Sequence, residues 1–245
     1  PEETASLLAE LARIESNVEV RGQLAATAKR LSFAHALPIV RSLMSHDADA
    51  EDIYQPLMVW WALESKVDAH SDEVLRLFGD KKLWGKSLVR QHILNRLIRR
   101  FAKSGTRRDL LNSAKLFELA PDIGATKVLM DGFEQAYKGR SMAALPERLM
   151  EAMARHGGGS VALGLRRGES KAVDEALKVI ADVKAEKIIR LQYSEIIGEV
   201  PNLKAIPVFL NILKTEPGSD LRRAALGALK PYSEKQIAIE ILDNY

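Results

Sequence analysis

Apolar residues recur along the chain at spacings of three and four, and no segment alternates apolar and polar positions with β-branched enrichment and hairpin turns. The pattern predicts an all-α fold. Helices of about 10 to 20 residues are expected between short breakers. These breakers are Asp47 to Asp49, Ser104 to Thr106, Pro121, His156 to Gly159, Glu199 to Asn202 and Pro217 to Ser219. Breaks this frequent do not suit a four-helix bundle.

The C-terminal stretch is the most regular. It reads Ala205-Ile-Pro-Val-Phe-Leu-Asn-Ile-Leu213, then Thr215-Glu-Pro-Gly-Ser-Asp220, then Leu221-Arg-Arg-Ala-Ala-Leu-Gly-Ala-Leu229. This resembles a HEAT repeat of the short bacterial kind. The resemblance implies that Pro207 sits in the first turns of a helix A, where a missing N–H costs little. It also implies that Asp220 ends the turn and caps a helix B, whose small residues let the paired helices approach closely.

Ala36-Leu-Pro-Ile-Val40 and Ala144-Leu-Pro-Glu-Arg148 repeat the helix A opening. Helix B openings stand at Val20-Arg21, Val89-Arg90, Ile189-Arg190 and Leu221-Arg222, with weaker matches near Tyr54, Gly124 and Ser160. Successive starts lie roughly 29 to 36 residues apart, a helical-solenoid period. The expectation is one HEAT/armadillo-like α-solenoid over residues 1–245, a right-handed superhelix of about seven imperfect hairpins, because a single amphipathic hairpin cannot bury its own apolar face. No internal domain boundary is expected. His156-Gly-Gly-Gly-Ser160 is the expected irregular turn.

A second resemblance rests on Asn17 to Leu31, Ala36 to Met44 and, above all, Asp52-Ile-Tyr-Gln-Pro-Leu-Met-Val-Trp-Trp-Ala-Leu-Glu64. These segments resemble the helical middle region of large planctomycete and verrucomicrobial multidomain proteins of the membrane-bound dehydrogenase type. Those carry a β-propeller before this region and a c-type cytochrome domain after it. The resemblance implies a noncatalytic spacer or docking array in a periplasmic or otherwise exported redox protein, with haem c confined to other domains. Its partners would be proteins or neighbouring domains of the same polypeptide.

Composition changes this picture only by exclusion. The 245 residues are 47% apolar and include no Cys, which removes disulfides, thiolate metal sites, thiol nucleophiles and covalent haem from this chain. The formal charge is +3, from 36 Lys and Arg against 33 Asp and Glu. No apolar run approaches the roughly 18 residues of a membrane span, so insertion of this chain is not expected. The chain opens with Pro1 and no basic and apolar leader, and reads as a piece of a larger protein.

Trp60 and Trp61 lie about 100° apart on one predicted helix, so both are buried only if one faces its partner helix and the other the adjacent repeat. Interface packing and an aromatic ligand platform are the two readings. Glu64, one turn further, suits acceptance of an indole N–H or an Arg rather than acid catalysis, because no second carboxylate is placed opposite it. Arg96, Arg99, Arg100 and Lys103 form a basic stripe, with His92 one turn before it and Arg107 and Arg108 just beyond the turn. Opposite lie Val89, Ile93, Leu97 and Phe101. The stripe reads as a solvated helix face, as a surface for an acidic protein, or as a nucleic-acid phosphate track. HEAT-like DNA glycosylases use such basic concave surfaces. The near-neutral total charge and the lack of an aromatic within the stripe place nucleic acid second.

The five histidines, His35, His46, His70, His92 and His156, form no metal-binding spacing, so caps and surface positions are expected and no metal or other cofactor. Trp84-Gly-Lys-Ser87 ends like a phosphate-binding loop, but five residues separate Gly79 from Gly85 and no strand precedes them. Gly157 to Gly159 suit a break between helices better than an anion cradle. No Ser, Lys or Tyr sits in an activating context. The sequence therefore predicts no enzyme, but a scaffold or protein-interaction module, with a nucleic-acid binder as the alternative.

Overall fold

The computed structural model describes residues 2–138, 145–155 and 161–243. Among these residues the chain is helical, without strands. The helices are α1 (Glu2–Ile14), α2 (Val18–Arg30), α3 (Phe33–Leu43), α4 (Gln55–Val67), α5 (Ser71–Leu77), α6 (Lys81–Trp84), α7 (Leu94–Ser104) and α8 (Arg107–Leu119). They continue as α9 (Ile123–Tyr137), α10 (Glu147–Ala154), α11 (Val161–Arg166), α12 (Ser170–Ala181), α13 (Lys187–Glu199), α14 (Ile206–Thr215), α15 (Ser219–Leu229) and α16 (Lys235–Asp243). A π-helical turn, Val89–Ile93, leads into α7.

Local chemistry sets many of these ends. Asn17 Oδ1 accepts from the Glu19 amide at 2.8 Å and starts α2. Gly105, at φ 66°, takes the left-handed conformation that stops α7, and Thr106 Oγ1 then accepts from the Asp109 amide to start α8. Pro56 and Pro207 occupy the first turns of α4 and α14, where no intrahelical N–H is needed. Pro38 lies inside α3. Asp220 departs from expectation. It lies within the first turn of α15 behind Gly218, makes no cap, and instead accepts from Lys187 Nζ at 2.8 Å. Several helices are shorter than the sequence pattern predicts, α6 being 4 residues and α11 being 6. His156 and the glycines after it lie outside the described residues.

The chain divides into two compact units, Pro1–Ala136 with Pro146–Gly158, and Tyr137–Leu145 with Gly159–Tyr245. In the first, α1 packs on α3, α2 on α3 and α4, and α8 on α7 and α10. Its core includes Phe78, Trp84, Phe101, Phe117 and Phe133, all essentially inaccessible. Phe78 and Trp84 meet edge to face at 6.0 Å, and the Trp84 indole donates to the Phe78 carbonyl at 2.7 Å, so burial leaves the indole N–H satisfied. In the second unit, contacts run from α11 to α13, α12 to α14, α13 to α15 and α14 to α16, besides those between consecutive helices. Phe209, Ile180, Ile196 and Ala225 are in its core.

Small residues set the closest approaches. A Cβ at Gly198 of α13 would stand 3.2 Å from Ala228 Cα of α15, and one at Gly132 of α9 would stand 2.7 Å from the Asn95 carbonyl oxygen of α7. Glycine at these points lets backbones meet where a side chain would hold them apart.

Candidate functional site

Polar side chains join elements about one predicted repeat apart. In the first unit Arg21 donates to Asp49, Arg90 lies 3.5 Å from Asp122, and Arg148 donates to Glu118. Two carbonyls at the end of α2, those of Lys29 and Leu31, accept from the buried ammonium of Lys66 at 2.9 and 2.7 Å. Burial lowers the Lys66 pKa from its ordinary value. In the second unit Arg190 donates to the Glu216 carboxylate and the Ile180 carbonyl, both at 2.9 Å, and Arg166 pairs with Glu199. Arg21 and Arg190, the arginines of two predicted helix B openings, are buried. They act as internal clamps, not as surface charges.

The basic stripe of α7 is only partly consumed in this way. Arg100 Nη2 donates to Asp68 Oδ1 at 2.5 Å, and its Nε lies 3.8 Å from Glu64 Oε1. Arg108 donates to the Ser71 hydroxyl at 3.0 Å. His92 Nε2 donates to the Ala50 carbonyl at 2.9 Å. Arg96 is half-buried and donates to the His92 carbonyl in the π-helical turn that leads into α7. Burial, assisted by the neighbouring charge of Arg99, lowers the Arg96 pKa from its ordinary value. Lys103, Arg99 and Arg107 are exposed, and among the described residues neither Arg99 nor Arg107 has a carboxylate partner. Val89, Ile93, Leu97 and Phe101 on the opposite face are buried.

The two tryptophans separate. Trp60 is 6% exposed and belongs to the core, whereas Trp61 is 45% exposed, with Lys29 Nζ 5.5 Å from its ring centroid. The condition for burying both is therefore not met. Trp61 continues an outward stripe with Tyr54, 71% exposed, and Leu57 at spacings of three and four residues. Sequence reasoning missed Tyr54 and Leu57. The signal was the excess of apolar residues between Pro56 and Trp61, more than one buried helix face can absorb.

Other constellations are internally satisfied. The Asp47 carboxylate accepts from the Ser87 amide at 2.7 Å and lies 3.1 Å from Lys86 Nζ, so the Gly85-Lys86-Ser87 segment grips the protein's own anion. The Ser87 amide foremost, with Lys86, holds the Asp47 pKa below its ordinary value. A cleft of about 550 Å³ is lined by Asp72, Arg76, Lys115, Glu118 and Arg148, and Lys115–Asp72 and Arg148–Glu118 are ion pairs within it. His46 donates to the Ala12 carbonyl, His35 bonds Ser32, and His70 stacks on Phe33 at 4.3 Å. Among the described residues no three His, Asp or Glu side chains converge as metal ligands. No described helix is long and apolar enough to cross a membrane. Comparison with protein families, with curated proteins and with solved structures returns no match.

Proposed function

We propose that this chain is a noncatalytic helical-repeat module that binds protein. Each unit would be a stretch of HEAT/armadillo-like, right-handed α-solenoid. The observation that carries the reading is the succession of contacts between next-but-one helices. It is seen from α11 to α16 in the second unit and from α1 to α4 in the first. Arg21, Arg90, Arg166 and Arg190 reach acids on following elements, which is how stacked hairpins hold one another. Such stacking consumes apolar faces and leaves broad curved surfaces for recognition. The resemblance of Asp52 to Glu64 supports placement in the middle of an exported redox protein, whose haem c would lie in other domains. Reading the parent open reading frame and titrating this chain with the propeller and cytochrome regions tests this. Saturable binding supports it, and a frame with no Cys-x-x-Cys-His site removes the redox parent.

The competing reading is a nucleic-acid binder, related in architecture to HEAT-like DNA glycosylases. The exposed, unneutralised Arg99 and Arg107 favour it. Asp68 and Glu64 beside Arg100 oppose it, because a continuous phosphate track would run into them. Tight binding of duplex or single-stranded DNA that falls steeply with salt would select this reading over the first.

A further inference from the structure

Within the first unit, α4 and α7 run side by side in the same direction. His92 near the start of one meets Ala50 just before the other, and Arg100 meets Glu64 and Asp68 towards their far ends. One helical turn before Arg100 is Arg96, and one turn before Glu64 are Trp60 and Trp61. Helix geometry therefore sets Arg96, half-buried, and Arg99 beside it at the height of Trp60 and the exposed ring of Trp61 along the two helices. On the other flank of that ring stands Lys29 of α2.

The result is an exposed apolar stripe, Tyr54, Leu57 and Trp61, with Lys29 beside Trp61 on one flank and Arg96 and Arg99 of α7 on the other. Arg96 and Arg99 have no carboxylate partner among the described residues, and burial first, then the neighbouring charge of Arg99, disfavours the charge of Arg96. A bound carboxylate would favour that charge, and an aromatic or aliphatic side chain would cover the Trp61 face. The cationic strip is short. Glu51 and Asp52 lie before the apolar stripe, and Glu64 and Asp68 lie beyond it. A long polyanion would meet these acids, whereas a short acidic segment ends before them.

We propose that Tyr54, Leu57 and Trp61, together with Arg96 and Arg99, form a docking site for a short acidic protein segment that carries an apolar anchor between its carboxylates. This rests on the reading of the chain as a protein-binding module and specifies its partner.

The test uses the whole chain and fluorescence anisotropy of a labelled short peptide in which glutamates alternate with phenylalanines. Companion probes replace glutamate by glutamine or phenylalanine by serine, and a single-stranded oligonucleotide of similar length is run in parallel. Saturable binding of the first peptide is expected. Trp61→Ala and Arg99→Glu should each weaken it about tenfold, an effect of the size seen at interface anchors. Arg13→Glu on α1, which packs chiefly against α3, should leave it unchanged. The altered positions are exposed or half-exposed, and circular dichroism melting checks that each variant folds. No binding, binding indifferent to these variants, or tighter binding of the oligonucleotide would overturn the proposal. Binding of the parent protein's neighbouring regions that survives both substitutions would also overturn it, while leaving the module reading intact.

Discussion

The guanidinium of Arg21 in α2 grips the carboxylate of Asp49 across 28 residues of sequence, with Nε 2.7 Å from Oδ2 and both side chains buried. Arg21 also donates to the Glu15 carbonyl at 2.9 Å, so one side chain ties the entry of α2 to the turn before α4. The hydrogen bond that Arg21 donates to Asp49 raises the Arg21 pKa, against the cost of burial. Removing one partner strands a buried charge. We predict that Asp49→Ala lowers stability by about 3 kcal/mol or more in urea denaturation, whereas Arg21→Met with Asp49→Leu recovers most of the loss.

Glycine substitutions should divide by what faces them. A Cβ at Gly132 would stand 2.5 Å from Ile98 Cγ2 and 2.7 Å from the Asn95 oxygen, whereas at Gly227 in α15 nothing lies within 4 Å. Gly132→Ala should therefore destabilise by about 1–3 kcal/mol through forced separation of α7 and α9. Gly227→Ala should stabilise by about 0.5–1 kcal/mol through helix propensity alone. Thermal melts of the two variants should shift in opposite directions.

Acid should loosen the first unit through specific carboxylates. Glu118 accepts from Arg148 at 2.9 and 2.8 Å, which holds its pKa below the ordinary 4.5. With the folded value depressed, the unfolded chain binds more protons between that value and 4.5, so stability rises with pH across this window. The contribution is complete above 4.5 and is lost as pH falls through the folded value. Asp72, held by Lys115, behaves alike below 3.8. Arg148→Met should flatten the upper part of the curve by about 0.5–1 kcal/mol, a modest effect because Arg148 is half-exposed. Denaturant unfolding at a series of pH values measures it.

Lys66 tests a different kind of join, an ammonium on two helix-end carbonyls. Lys66→Met keeps the packing of the stem and leaves the Lys29 and Leu31 carbonyls without this donor. A loss of about 1–3 kcal/mol is expected. Hydrogen exchange should quicken first at the last turn of α2, because that is the element the ammonium ties down.

Helical class and many element ends were determined by the sequence alone. The three-and-four spacing of apolar residues, Asn17 before α2, and Gly105 with Thr106 between α7 and α8 act through neighbours a few residues away. The same holds for the charges of the α7 stripe, whose shared face follows from helical geometry. What those residues do was decided only in three dimensions. Arg21 and Arg190 are buried clamps while Arg99 stays unneutralised, Trp60 enters the core while Trp61 faces outward, and Asp220 binds Lys187 where a cap was expected. Burial and ion pairing depend on what another element places opposite, often some 30 residues along the chain. Local hydrogen bonding can specify a helix, but only the packed neighbour determines which of its side chains remain available to a partner.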